Sequence, residues 1–289
     1  MNKTIICVGA AFLAASTALS ALTGEQVASF KEKFRNSDPT IRIKAFDELE
    51  KENPRTMGND IIPLLSLALD DQDPTVRLRA AATLAATAFT TLPKAFQKSE
   101  DVTDLRSYAP LKPALVAAFD DSNVETRKNA LAAYFLTFRV PPAVQNSLVG
   151  RYDSEPANSL FKAAILEALT IDGAPTPAAK DLLTQVAARS ADAMVLAQVI
   201  QDSEAPPAEL LPQFVSRFSS ASDFRERALF ARAIAKFGVL AKPYIPTLEG
   251  AADHESDEVT RKTITAAVAD IRASPPKFRR RDADDTAED

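Results

Sequence analysis

The chain has 289 residues, of which 46% are hydrophobic and 25% are charged, and its formal net charge is −5. This balance is typical of a folded protein and excludes a disordered or collagen-like chain. The negative charge disfavours general binding to nucleic-acid phosphates, so we expect no nucleic-acid partner. Few glycines and no sustained alternation of β-branched residues leave strands little support, and we predict an all-α fold.

The amino terminus has the pattern of a secretory signal peptide. Lys3 precedes an apolar run that ends at Leu13, and small residues follow as far as Ala21. The run is shorter than the roughly 20 apolar residues of a membrane span, and an uncleaved anchor is the alternative. We predict that residues 1–21 are removed, which takes away Lys3 and Cys7, the only cysteine, and changes the net charge from −5 to −6. The mature protein is then periplasmic or extracellular, without a membrane span.

A helix-start motif recurs in the mature sequence. The first predicted helix begins after Thr23, and Gln26 three residues later completes a capping box. Further on, the segment from Asp38 to Arg42 (Asp-Pro-Thr-Ile-Arg) returns thirty-five residues later as Asp-Pro-Thr-Val-Arg, starting at Asp73. In both copies aspartate can cap a helix and proline can occupy its first turn. The near-identity predicts a structural repeat.

A basic residue opens the second helix of each predicted repeat. Apolar residues follow three and seven positions later and define one buried helix face, which only Arg232 interrupts. A preceding helix that starts near a proline completes an αα-hairpin. The basic positions are Arg42, Arg77, Arg127, Lys162, Arg225 and Arg261, and the prolines are Pro63, Pro113, Pro212 and Pro246.

These hairpins resemble HEAT repeats, which are close to the armadillo-like group. The segments from Leu69 to Ala81 and from Phe119 to Val124 carry the resemblance best, and it covers the chain from about Gly24 to Arg272. It implies a right-handed α-solenoid of about seven stacked αα-hairpins. We predict this solenoid over residues 22–273 and a disordered charged tail over residues 274–289. The resemblance also implies that the turn aspartates and a ladder of arginines join adjoining repeats: Arg42, Arg77, Arg127, Arg225 and Arg261.

Partner binding is predicted on the second helices, because in HEAT proteins these line the concave surface. Two residues after the basic position, a mildly basic row supplies the candidate binding residues: Lys44, Arg79, Asn129 and Arg227. An insertion over residues 90–107 is a second candidate. It is either a binding loop or a tolerated surface excursion.

Catalytic and metal-binding groups are sparse in the mature sequence. His254 is its only histidine and it has no cysteine, so we expect no metal site and no cofactor. Ser159 and Lys162 have a Ser-x-x-Lys spacing, but the companion motifs of the enzymes that use it are missing. We therefore predict a non-catalytic scaffold or adaptor with a protein partner. The alternative is an enzyme or enzyme subunit resembling the HEAT-like bilin lyases.

Overall fold

The computed structural model describes residues 22–52, 61–91, 111–157, 159–171, 175–203 and 206–275. These residues form fourteen α-helices and no β-strand. The helices are α1 Gly24–Phe34, α2 Pro39–Leu49, α3 Ile62–Ala68, α4 Pro74–Thr91, α5 Leu111–Ala117, α6 Val124–Thr137, α7 Pro142–Ser154, α8 Leu160–Ile171, α9 Pro177–Ala188, α10 Ser190–Ile200, α11 Leu211–Ser220, α12 Phe224–Ala235, α13 Ile245–His254 and α14 Glu258–Ala273. The predicted signal peptide, residues 92–107 of the insertion and the tail from residue 276 lie outside the described residues.

Consecutive helices pair as αα-hairpins, with contacts between α1 and α2, α3 and α4, α5 and α6, α9 and α10, α11 and α12, and α13 and α14. We number the hairpins in chain order and count α7 with α8 as the fourth. In the fourth pair, the ammonium group of Lys162 on α8 lies 4.6 Å from the centre of the Tyr152 ring on α7. The second helices also pack in sequence, α2 on α4 and α4 on α6, and likewise α10 on α12 and α12 on α14. Hairpins that pack on their sequence neighbours are the predicted α-solenoid fold, in a HEAT-like form.

The chain divides into two compact units, Met1–Ala168 and Leu169–Asp289, which we call the first and second unit. The division falls inside α8. Each unit has its own buried aromatic contacts. In the first unit the rings of Phe34 and Phe46 meet edge to face at 4.7 Å, and in the second the rings of Phe214 and Phe230 lie 5.6 Å apart. Such ring pairs add to the stabilisation that burial alone provides.

The predicted helix caps are confirmed. Thr23 and Gln26 form the capping box at the start of α1, with hydrogen bonds in both directions. The carboxylates of Asp38 and Asp73 accept the amides of Thr40 and Thr75, each at 2.8 Å, at the starts of α2 and α4. These side chains satisfy amides that the first helical turn leaves without a partner.

Four arginines, which we call the arginine ladder, make one common set of contacts. One guanidinium nitrogen donates to the backbone carbonyls five and six residues earlier, at 2.6–3.3 Å. Another donates at 2.5–2.8 Å to a carboxylate in the turn of the next hairpin. The ladder pairs are Arg42 with Asp71, Arg77 with Asp121, Arg127 with Glu155, and Arg227 with Glu255.

The sequence pattern predicted Arg225 for the ladder position of the sixth hairpin. In the structure this position belongs to Arg227. The side chain of Arg225 is exposed and its guanidinium lies 5.3 Å from the centre of the Phe224 ring.

The distance from the helix cap explains the register. Arg227 stands four residues after the Asp223 cap, as Arg42 stands four residues after its own cap. A cap fixes the rotation of the helix that it starts, so distance from the cap sets the register. With this shift, Phe230 and Ile234 fill the buried stripe, fully buried, and Arg232 lies outside it.

In three ladder pairs the acidic residue stands two residues before the cap of the second helix in its own hairpin. Asp71, Asp121 and Glu255 each also accept the amide of the cap two residues later, at 2.8–3.0 Å. The first hairpin has the neutral Asn36 in this place. The sixth has Ala221 there, and the fifth hairpin before it has Ala193 in the basic position. The sixth hairpin therefore lacks the acid, and the fifth hairpin lacks the arginine that would pair with it.

The last described hairpin has a polar outer face. Arg261 is exposed, and among the described residues its guanidinium has no partner. Lys262 and Thr265 are exposed at positions where α12 has the buried Ala228 and Ala231. Terminal repeats of solenoids typically carry such a polar surface, which needs no further hairpin to cover it.

Candidate partner-binding groove

The residues of the predicted basic row differ in their surroundings. Lys44 is exposed, whereas Asn129 is buried with 7% of its surface accessible, and Arg227 is committed to the ladder. Arg79 forms ion pairs with Asp47 and, at 3.2 Å, with Glu50. Both acids lie at the carboxyl end of α2, the second helix that precedes α4. Arg79 thus contacts the preceding second helix, α2, whereas Arg227 contacts the turn that follows α13. Arg79 and Arg227 therefore already have partners within the chain, and Asn129 is buried.

A groove lies on the second helices of the second unit. The carboxyl end of α10 and the accessible faces of α12 and α14 enclose about 610 Å³. This volume is within the range of ligand-binding clefts, roughly 300–1,000 Å³. Ala235, Ala266 and Ala267 form its floor. Because alanine side chains are short, a bound chain could approach the helix backbones closely. Thr263 is the only groove residue that stands two positions after a predicted basic residue.

Four charged side chains line the groove: Asp202 after α10, Arg232 and Lys236 on or at the end of α12, and Asp270 on α14. All four are exposed, and none forms an ion pair with another described residue. The Nε of Arg232 donates to the Gln201 side chain at 3.1 Å, which orients the guanidinium without neutralising it. Passing from α10 to α14, the signs of the charges run negative, positive, negative. The groove is thus suited to a ligand that carries both signs.

The groups that could support chemistry elsewhere have structural partners. His254 contacts the carbonyl of Gly250 at 2.7 Å through Nδ1, at the end of α13. The amide of Thr75 holds the pKa of Asp73 below its usual value, and the amide of Thr260 does the same for the pKa of Asp257. These carboxylates act as helix caps. Across the described ranges, His, Asp and Glu side chains form no group of three that could hold a metal ion.

No protein-family model matches the chain, and no curated protein matches it. Among solved structures, that of human deoxyhypusine hydroxylase in complex with glycerol is similar, with 15% sequence identity and a TM-score of 0.32, over 86% of this chain and 96% of that chain. This likeness transfers no catalytic residue and no ligand to this chain.

Sequence reasoning missed the charged groove residues. Arg232 gave the one available signal, because it interrupted an otherwise apolar stripe. The interruption marked an exposed residue in a helix whose predicted register was two residues off. Asp202 and Asp270 carried no signal of their own, since single acids near helix ends are common on any surface. No helix in the described ranges combines the length and apolar character that crossing a membrane requires.

Proposed function

We propose that this protein is a non-catalytic interaction scaffold and that it binds a polypeptide segment of another protein in the groove of the second unit. The observation that carries the proposal is the set of four unpaired charges of both signs around an alanine floor. Elsewhere, many charged side chains on these helices are paired, as the ladder and the Arg79 pairs illustrate. Charges kept without a partner are available to an incoming one.

A polypeptide segment fits this groove better than a small apolar ligand. Its backbone offers both donors and acceptors, and its side chains can present an acid to Arg232 and Lys236 and bases to Asp202 and Asp270. Complementary charges chiefly raise the association rate and the specificity of such binding. The partner we propose therefore carries an extended segment with acidic residues flanked by basic ones.

A photo-crosslinking amino acid at Thr263 tests this proposal in the native host. We expect it to capture a discrete protein that the same amino acid at Gly250, an exposed position on α13, does not capture. The double variant Arg232→Glu, Lys236→Glu should weaken that capture by about tenfold or more, since loss of a central contact costs over 1 kcal/mol. Arg225→Glu and Lys44→Glu are the charge-matched controls and should leave it unchanged. Equal capture from Thr263 and Gly250 would contradict the proposal.

The alternative function is that of an enzyme or enzyme subunit, as the resemblance to bilin lyases implies. The similar solved structure is also named as an enzyme, but its likeness is too low to carry an activity over. Absorption spectroscopy and mass spectrometry of the native purified protein test this alternative. A pigment or other small molecule bound in stoichiometric amount would favour it over a scaffold.

We also propose that the protein acts outside the cytoplasm. The support is the sequence pattern of residues 1–21, with Lys3, the apolar run and the small residues that follow. Amino-terminal sequencing of the protein from the envelope or culture medium is expected to begin within the segment from Leu19 to Leu22. An intact Met1 on cytoplasmic protein would overturn this proposal.

A further inference from the structure

The groove lies at the point where the described chain ends. Ser274, which caps α14, lines the groove, and its hydroxyl donates to the Asp270 carbonyl at 2.8 Å. Only Pro275 follows in the described residues. The remaining segment, residues 276–289, is therefore attached next to a residue that lines the groove.

The charges of residues 276–289 are ordered in two blocks. Lys277 and three arginines come first, and five acidic residues follow from Asp282 to Asp289. The groove carries charges of the opposite sign to both blocks. Asp270 lies on α14, the helix that leads into the segment, and Arg232 and Lys236 lie on or at the end of α12. The basic block would thus face an acid, and the acidic block would face two bases.

The segment is long enough to make both contacts. Helices that pack against each other, as α12 and α14 do, have axes about 8–10 Å apart. An extended chain covers about 3.3 Å per residue, so the ten residues from 276 to 285 can span roughly 33 Å. A segment of this composition cannot form a core of its own, but it can become ordered on a complementary surface.

We propose that the groove is occupied by the chain's own residues 276–289, with the acidic block against Arg232 and Lys236 and the basic block against Asp270. The segment then competes with the partner segment for the same groove, and this part of the inference rests on the proposed function. A short tether gives an effective concentration of about 1 mM, so a contact with an intrinsic Kd of about 0.1 mM is formed roughly 90% of the time.

Disulfide crosslinking in the full chain tests the occupancy without any partner. In a Cys7→Ser background, Ala283→Cys is combined either with Ala266→Cys in the groove or with Gly250→Cys on α13. Both latter positions are exposed, and a side chain added at Gly250 meets no neighbouring atom within 4 Å. At low salt we expect the groove pair to crosslink about tenfold faster than the control pair, in line with the occupancy above. Equal rates would overturn the proposal.

Charge exchange keeps the test decisive if one variant is poorly folded. Arg232→Glu with Lys236→Glu should bring the groove pair down to the control rate. Adding Asp284→Lys and Asp285→Lys should restore much of the difference. A groove pair insensitive to both changes, in variants with the parent circular dichroism spectrum, would overturn the proposal. Tail crosslinking without partner capture would refute only the proposed function, and partner capture without tail crosslinking would refute only this inference.

Discussion

The helix register of the sixth hairpin can be tested directly, because Arg225 and Arg227 are the same residue type two positions apart. Arg227 donates to the carbonyls of Ala221 and Ser222 at 2.9 and 3.1 Å and to the Glu255 carboxylate at 2.7 Å. Arg225 makes no such contacts and is exposed. We therefore expect Arg227→Ala to destabilise the packing of α12 against α14 and the turn before it, and Arg225→Ala to leave it unchanged.

The magnitude follows from the burial of the pair. An exposed ion pair contributes about 0–1 kcal/mol, whereas removing one partner of a buried pair costs about 3–5 kcal/mol. Here the Glu255 side chain is only 1% accessible, but Arg227 is 24% accessible. Water can reach the vacated position and partly solvate the carboxylate. We thus expect Arg227→Ala to cost about 2–3 kcal/mol, between the two limits.

Native-state hydrogen exchange is the appropriate assay, because stacked hairpins open locally and one global unfolding free energy does not describe them. Amides of α12 and α14 should exchange faster by roughly 30- to 140-fold in Arg227→Ala, the equivalent of about 2–3 kcal/mol at about 1.4 kcal/mol per tenfold. Those of α1 to α6 should be unchanged. If Arg225→Ala accelerates exchange as much as Arg227→Ala does, the assigned register is wrong.

Three further predictions concern single sites. The Asp257 amide, together with the Arg227 hydrogen bond, outweighs burial and holds the pKa of Glu255 below its ordinary 4.5. The stabilisation from Glu255 is thus present above pH 4.5 and lost as pH falls through the lowered pKa, and hydrogen exchange of α12 and α14 should show a smaller acid-induced loss of stability in Glu255→Gln. Phe230→Ala empties a fully buried site and should cost about 3–5 kcal/mol by the same exchange assay. The control Phe224→Ala, at a half-exposed position, should cost under about 1 kcal/mol, and similar costs for the two variants would contradict the placement of Phe230 on the buried face of α12. Arg79→Ala removes an exposed contact and should cost about 1 kcal/mol or less without reducing crosslinking from Thr263; a marked loss of capture would return the binding surface to the first unit.

The hairpins and their caps could be predicted from the sequence, because local rules decide them. Asp38 and Asp73 cap their helices whatever packs nearby, and the spacing of apolar residues identifies the buried face. Counting from the cap would also have placed Arg227 correctly. Aligning on the first arginine of the pair failed, since two arginines two residues apart point to different sides of a helix.

The groove could not be predicted, because it depends on which faces the packing leaves open. Arg79 and Arg232 are both arginines on second helices, yet Arg79 reaches carboxylates on its neighbour and Arg232 reaches only the Gln201 amide group. The difference lies in residues some thirty positions earlier in the chain. A pattern within one repeat does not contain that information.

The pairing of an acid on one hairpin with an arginine on the one before makes the hairpins of this chain modular only in certain combinations. The hairpin of α3 and α4 carries both halves, with Asp71 to receive an arginine and Arg77 to reach the next acid. A duplicate copy inserted directly after it would find a partner on either side. A duplicate of the α1 and α2 hairpin would not, because Asn36 offers no charge to the arginine before it. Lengthening this protein by copying its own parts is therefore possible from the second hairpin but not from the first.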